Sequence, residues 1–245
     1  MWNIEPPPPD AWTRNGMIAI VIAVALAATV LFGKGSRKRT VLWGLGYGVA
    51  LTATGCLAAS GALAETRSFP PPMAILIASV LVTSLALGLS PLGKSLAHHV
   101  DTVGLVALQA FRLPLELLMH HAASKNIMPK WLSYSGYNFD IVTGAAAIVV
   151  AAALAQNKAP RALLWAWNAW GIVCLLVITL IAVATSPMVH AFGTAPKDVN
   201  TWVLYAPYVW LPAILVSTAI LSHVVLTRKL LESKAPTCIL HASIV

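Results

Sequence analysis

Residues 17–32 read MIAIVIAVALAATVLF, and the next seven residues, 33–39, read GKGSRKR. An uninterrupted apolar run of this kind is close to the length of a membrane-spanning helix, which needs about 20 apolar residues. The backbone of such a segment satisfies its own hydrogen bonds only as a helix. The stretch therefore predicts a first spanning helix that is followed at once by a basic cluster.

Six further apolar segments follow the first one. The 245-residue chain is 58% hydrophobic and only 10% charged, whereas soluble domains carry about 25% charged residues. We therefore predict an all-α, polytopic transmembrane bundle of about seven spans. The predicted segments are Met17–Phe32, Val41–Ala64, Met73–Leu92, Thr102–Ala122, Phe139–Ala155, Leu163–Ser186 and Thr201–Leu226.

The distribution of basic residues predicts the orientation, because lysine and arginine concentrate on the cytoplasmic side. With the N-terminus outside, the inner segments hold ten basic residues: Lys34, Arg37, Lys38, Arg39, Lys94, Lys158, Arg161, Arg228, Lys229 and Lys234. The outer segments hold five, namely Arg14, Arg67, Lys125, Lys130 and Lys197. We therefore expect an N-out/C-in protein of the bacterial cytoplasmic membrane.

This orientation divides the chain into three parts. Residues 1–16 form an extracytoplasmic segment, residues 17–226 the membrane domain, and residues 227–245 a cytoplasmic tail. The net charge of +8 does not indicate nucleic-acid binding, because the basic residues stand in short runs between apolar segments. Cys56, Cys174 and Cys238 show no spacing typical of a disulfide framework or a zinc ribbon.

The second apolar segment is rich in small residues, which let helices approach closely. Gly44 and Gly48 are four residues apart, as are Gly55 and Ala59. Two interpretations stay open: these positions pack against other helices of the same chain, or they form the face of a homo-oligomer.

The stretch most relevant to function is residues 109–140, QAFRLPLELLMHHAASKNIMPKWLSYSGYNFD. Arg112 lies near the middle of the fourth segment, about 15 Å from either end at the helical rise. A charged residue at this depth costs at least about 2.5–3.5 kcal/mol on insertion scales and needs a partner. Glu116 lies four residues later, on the same helical face, and Pro114 frees the carbonyl of Ala110.

Further polar residues begin the fifth segment and interrupt the sixth. Asn138 and Asp140 precede and open the fifth, and Asn168 lies between Trp167 and Trp170 in the sixth. One hypothesis places Arg112, Glu116, Asn138 and Asp140 around a ligand or ion pocket in the outer half of the bundle, with Asn168 as a wall residue. The alternative is a structural Arg112–Glu116 ion pair, with Asp140 only complementing its helix dipole.

The histidines raise a metal or haem hypothesis, since histidine pairs on facing helices can ligate haem iron. The weak candidates are His99, His120, His190 and His223. No HExxH or HxxxH spacing accompanies them. No cofactor is therefore predicted, while haem or metal binding stays open as an alternative.

Several residues together resemble an uncharacterised family of bacterial seven-span integral membrane proteins. They run from the fourth segment to the seventh: Phe111-Arg112, Glu116, Pro129, Gly136-x-Asn138-Phe139-Asp140, Gly144, Trp167-Asn168, Pro187, Trp210-Leu211-Pro212 and His223. The resemblance implies a membrane protein and places the same polar residues at the centre of the question, but it implies no activity.

Three functions stay open. The first is binding or translocation of a small solute, proton or ion through the pocket of Arg112 and Glu116. The second is a non-catalytic receptor, accessory or assembly subunit in which these residues are structural. The third is a membrane enzyme with histidine-ligated haem or metal. The retinal class is excluded, because the seventh segment has no lysine for a Schiff base.

Overall fold

The computed structural model describes residues 6–65 and 68–232. Residues 1–5, Arg67, Lys234, Cys238 and the tail from residue 233 lie outside this range. The described residues fold into helices joined by turns, in agreement with the all-α prediction. The α-helices are α1 (Ala11–Gly33), α2 (Arg37–Ala59), α3 (Pro72–Leu89), α4 (Pro91–His99), α5 (Thr102–Leu108), α6 (Arg112–Ser124), α7 (Asp140–Ala155), α8 (Arg161–Ala184) and α9 (Ser217–Glu232).

All seven predicted apolar segments contain a helix, although not all are equally long. In the described part of the chain, six helical stretches are long and apolar enough to cross a membrane: α1, α2, α3, α8, and the continuous stretches Thr102–Ser124 and Leu211–Glu232. The fifth predicted segment forms α7, a shorter apolar helix of 16 residues.

Polar side chains fix where several helices begin. Asp10 Oδ2 accepts a hydrogen bond from the backbone N–H of Thr13 at 2.8 Å, and Ser36 caps α2 through Arg39. Asp101 Oδ1 accepts from the N–H of Gly104 at 2.6 Å. These residues replace bonds that the first turn of a helix lacks, so α2 begins at Arg37 rather than at Val41 as predicted.

The two ends of the bundle differ. The basic end is formed by residues 33–39, 89–102, 155–161 and 227–232, and it holds the Lys34–Asp101 ion pair at 2.8 Å. The hydrogen bond from Lys34 lowers the pKa of Asp101, assisted by the Gly104 N–H. The loop end is formed by residues 6–10, 125–139 and 185–210, and Asp10 faces His121 there at 3.3 Å.

The last helix differs from its prediction over Thr201–Leu226. Residues 201–210 form turns, and the helical stretch begins at Leu211 as a π-helix (Leu211–Val216) that continues into α9. Pro212 lies in the first turn, where its missing N–H is harmless. Pro207 lies in the turns that precede this helix.

A groove separates the neighbouring helices α2 and α3. α2 packs on α1, and α3 packs on α9, while both also contact the π-helix that lies between them. Of the small residues in α2, Gly44 faces Thr29 of α1 and Gly55 faces Trp210, whereas Gly46 and Gly48 have open space beside them. Packing against other helices of the same chain therefore accounts for only some of the small residues in α2.

Candidate functional site

Arg112 is the centre of a buried polar cluster. Its side chain is only 2% exposed, and each of its nitrogens has a partner. Nη1 donates to Asp140 Oδ1 at 2.6 Å, Nε donates to Gln109 Oε1 at 3.1 Å, and Nη2 lies 3.3 Å from His223 Nε2. The arginine is thus held by residues of three different parts of the chain.

The partner of Arg112 differs from the one that the sequence suggested. Helical spacing predicted a pair with Glu116, but Arg112 pairs with Asp140 instead. A 3-10 turn (Gln109–Phe111) precedes Arg112. Gln109 is thereby brought beside the guanidinium, whose remaining nitrogens face α7 and α9.

Glu116 has a different partner, supplied by the segment that leads into α7. Asn138 Nδ2 donates to Glu116 Oε1 at 2.5 Å and to the carbonyl of Leu132 at 3.0 Å. The Oδ1 atom of Asn138 accepts from the backbone N–H of Asp140 at 3.1 Å. Residues 125–139 therefore return from the loop end into the bundle, so that Asn138 and Asp140 lie beside Arg112 and Glu116.

The cluster continues toward the basic end through α8 and α9. His223 Nδ1 lies 2.8 Å from Asn168 Oδ1, and Asn168 Nδ2 donates to Thr227 Oγ1 at 2.8 Å. Thr227 Oγ1 in turn donates to the carbonyl of His223. We call the series Glu116, Asn138, Asp140, Arg112, His223, Asn168 and Thr227 the polar chain.

Two glycines make room for this arrangement. A Cβ atom at Gly144 would collide with the backbone of Arg112 and Leu113, so the absence of a side chain lets α7 cross α6 at the arginine. A Cβ atom at Gly171 would collide with the imidazole ring of His223. The polar chain therefore depends on close helix approaches that no other residue allows.

A small cavity of about 30 Å³ adjoins the cluster. Arg112, Glu116, Asn138 and Asp140 line it, whereas Asn168 does not. Glu116 Oε2 and Gln109 Nε2 are buried and have no hydrogen-bond partner among the described residues. A space of at least about 10–15 Å³ holds one water molecule, so the cavity has the size for water and not for a larger solute.

The four candidate metal ligands lie in different surroundings. His223 belongs to the polar chain, His99 contacts Arg39 and the carbonyl of Phe32, and His120 stacks on Tyr134. His190 lies in the turn after α8 with a positive φ of 54°. Within residues 6–65 and 68–232, no three His, Cys, Asp or Glu side chains group as metal ligands would.

Three members of the site were missed by sequence reasoning. Gln109 and Thr227 were not among the candidates, and His223 was named only as a metal ligand. Gln109 precedes Arg112 by three residues, and Thr227 follows His223 by four, so helical spacing alone signals a shared face for each pair. No local signal brings the two pairs together.

The comparisons with known proteins give a family but no activity. The family described as a domain of unknown function, DUF8737, matches residues 70–231, from just before α3 to the end of α9. No curated protein and no solved structure matches the chain. The matched range covers more than half of the sequence and contains the whole polar chain, and the protein therefore belongs to the DUF8737 family.

Proposed function

We propose that the protein is a seven-span integral membrane protein that lies N-out/C-in in the bacterial cytoplasmic membrane. Six long apolar stretches and the shorter α7 support this topology. Large apolar side chains such as Leu26, Val49, Val82, Val149 and Leu180 are exposed along the helices, as expected for lipid-facing positions. The basic end then faces the cytoplasm.

Within this membrane domain, we propose that the protein transfers protons, with Glu116 as the exchanging group and the rest of the polar chain holding it in place. The carrying observation is the continuity of the polar chain: its residues, from α6, α7, α8, α9 and the loop before α7, follow one another through hydrogen bonds or ion pairs, and the link from Asn138 runs to the backbone N–H of Asp140. Ionisable residues inside a membrane domain are expensive and typically mark ion or proton pathways.

The donor and acceptor chemistry assigns the protonation of His223. The guanidinium of Arg112 can only donate, so His223 Nε2 must accept and the ring is neutral. The proton then sits on Nδ1 and is donated to Asn168 Oδ1, while the amide of Asn168 donates onward to Thr227. The hydrogen bonds from Arg112 to Thr227 therefore point in one direction, toward the basic end.

Charge balance assigns a proton to Glu116. The positive charge of Arg112 is already matched by Asp140 at 2.6 Å. An ionised Glu116 beside them would leave a net buried negative charge, which is costly without a further partner. Glu116 therefore carries an exchangeable proton next to the small cavity, and the step we propose is transfer of that proton from the carboxyl to a water molecule in the cavity, followed by its return from water.

The size of the cavity favours a proton over a larger solute. Pockets that bind small molecules enclose about 300–1,000 Å³, whereas the space beside Glu116 measures about 30 Å³. One or two water molecules fit there, beside the Glu116 carboxyl. The alternative of a solute or a metal ion requires the bundle to open at this point.

A liposome flux assay tests the proposal. Purified protein is reconstituted with a pH-sensitive dye inside, and a potassium diffusion potential drives proton uptake. We expect Glu116→Gln to reduce the flux at least about tenfold, because the amide cannot release a proton. Glu232→Gln is the matched control, since it removes a partly exposed carboxyl at the basic end. Equal flux through wild type and Glu116→Gln contradicts the proposal.

A second candidate is an accessory or assembly subunit without transport. It is favoured by the open space beside Gly46 and Gly48 on α2, which offers another helix, or a second copy of this chain, a close approach. In this case the folded wild-type protein carries no proton flux above that of protein-free liposomes. The polar chain then serves only to hold α6, α7, α8 and α9 together.

A further inference from the structure

A large apolar cleft lies apart from the polar chain, between α3, α8 and residues 186–204. It encloses about 480 Å³, within the range of small-molecule sites. An adjoining inner pocket of about 70 Å³ shares part of its lining, including Met73, Thr179 and Ala182. Phe69, Met188 and Val189 stand exposed at its loop-end mouth.

Two buried polar atoms lack partners in this region. Asn200 lines both the cleft and the inner pocket, and Trp202 lines the inner pocket. Their side chains are 6% and 1% exposed, and Asn200 Oδ1 and Trp202 Nε1 have no hydrogen-bond partner among the described residues. A buried polar atom without a partner lowers the stability of the folded protein by about 1–3 kcal/mol. A ligand atom that forms a hydrogen bond with either of these atoms would recover that free energy.

The backbone holds Asn200 firmly at this position. Its N–H donates to the carbonyl of Thr185 at 2.7 Å, which ties residue 200 to the end of α8. Trp202 is held by its ring contact with Tyr208, with 4.8 Å between the ring centroids. The backbone at Asn200 and the ring of Trp202 are thus held in place.

The chemistry of the cleft identifies the kind of ligand. Asn200 Oδ1 requires a donor and Trp202 Nε1 requires an acceptor, and a hydroxyl group can act as either. Among residues 6–65 and 68–232, no charged side chain lines the cleft or the inner pocket, so a charged headgroup would find no counterion on these residues. The remaining lining is almost entirely apolar, as the tail of a lipid requires.

We propose that the cleft and its inner pocket bind a neutral single-chain lipid, with its hydroxyl head at Asn200, which lines both, and its chain between α3 and α8. Met119, Ile178, Leu211 and Val216 line both the inner pocket and the small cavity beside Glu116. The bound lipid therefore packs against the wall of the polar chain without replacing any of its hydrogen bonds.

Competition binding to the wild-type protein tests the headgroup. The purified full-length chain is titrated with tritiated monooleoylglycerol, and oleyl alcohol, oleate at alkaline pH and octadecene serve as competitors of equal chain length. We expect oleyl alcohol to compete at least about tenfold better than oleate or octadecene, in line with the cost of an unpaired buried group. Equal competition by octadecene, or no saturable binding, overturns the proposal.

Variants test the location. Ala182→Phe fills the cleft and should abolish binding, whereas Ala50→Phe fills the separate groove between α2 and α3 and should leave it unchanged. Asn200→Leu keeps the volume but removes the acceptor, and should weaken binding about fivefold or more. Equal loss in Ala182→Phe and Ala50→Phe contradicts the location. If a variant fails to fold, the wild-type competition series still decides the proposal.

Discussion

Two regions of the molecule satisfy the hydrogen bonds of their polar side chains in different ways. The first is the set of helices that carry the polar chain, and the second is the pair α2 and α3. The share of buried residues is 50% in the apolar part of Thr102–Ser124 and 56% in that of Leu211–Glu232. It is only 11% for α2 and 17% for α3. Both regions contain polar side chains in apolar surroundings. They differ in where the hydrogen bonds of those side chains go.

In the polar chain, side chains bond across helices, from α6 to α7 and α9 and from α9 to α8. In the groove between α2 and α3, the hydroxyls of Thr54 and Ser84 bond their own helix, whereas the hydroxyl of Tyr47 lies 2.9 Å from Thr218 Oγ1 of α9. Thr54 donates to the carbonyl of Ala50 and Ser84 to that of Val80, both at 2.7 Å. A hydroxyl that bonds its own helix keeps that hydrogen bond whatever the neighbouring helices do. Substitution of a residue in the polar chain instead leaves a buried partner on another helix without its hydrogen bond.

The largest effect is expected when the ion pair at the centre of the polar chain is broken. Asp140→Asn leaves Arg112 buried without a counter-charge, and breaking a buried pair in this way costs about 3–5 kcal/mol. Thr54→Val, in the groove, should cost no more than about 1 kcal/mol, because it removes one local hydrogen bond. Thermal unfolding of the purified protein in detergent measures both.

A double variant separates pairing from packing. Arg112→Met together with Asp140→Asn removes both charges, so stability should recover relative to Asp140→Asn alone. If the double variant is less stable than the single one, Arg112 stabilises the bundle through partners other than Asp140, such as Gln109 and His223.

The same contrast explains what the sequence could predict. The apolar segments, the basic clusters and the unusual position of Arg112 are local features, and hydropathy and charge suffice to find them. The family resemblance likewise pointed to an uncharacterised family, which the DUF8737 match confirms. The boundaries were less accurate where a cap or a proline sets the first turn, as at Ser36 and Pro212.

The partners of Arg112 could not be predicted from local spacing. Helical periodicity brings Glu116 to the same face, but it carries no information on Asp140, which is 28 residues away, or His223, which is 111 residues away. Those contacts depend on the return of residues 125–139 into the bundle and on the close crossing at Gly144. Such features arise from packing between helices, which hydropathy does not encode.

The next largest effect concerns the close approaches that support the polar chain. Gly171→Ala places a methyl group against the ring of His223, and overpacking of this kind costs about 1–3 kcal/mol. Gly46→Ala is the matched control in α2, where the added methyl group meets open space. That control should keep or raise stability by up to about 1 kcal/mol, because alanine favours the helix. Equal melting of the two variants contradicts the packing role of Gly171.

The smallest effect is expected at the basic end, outside the polar chain. The hydrogen bond from Lys34 holds the pKa of Asp101 below its ordinary value of 3.8. A carboxyl whose pKa is lowered by folding stabilises the folded protein above its ordinary pKa, and this contribution disappears as the pH falls through the lowered value. Since both side chains are largely exposed to solvent, the contribution should stay below about 1 kcal/mol.

Asp101→Asn isolates this contribution, because asparagine caps a helix about as well as aspartate does. The variant keeps the bond to the Gly104 N–H and loses only the charge that faces Lys34. Its stability should therefore fall below that of wild type at neutral pH, and the difference should close as the pH is lowered below about 4, where the wild-type carboxyl begins to protonate. Salt should reduce the difference at neutral pH, since exposed pairs are screened. A difference that persists unchanged at low pH would assign the effect to the cap of α5 and not to the ion pair.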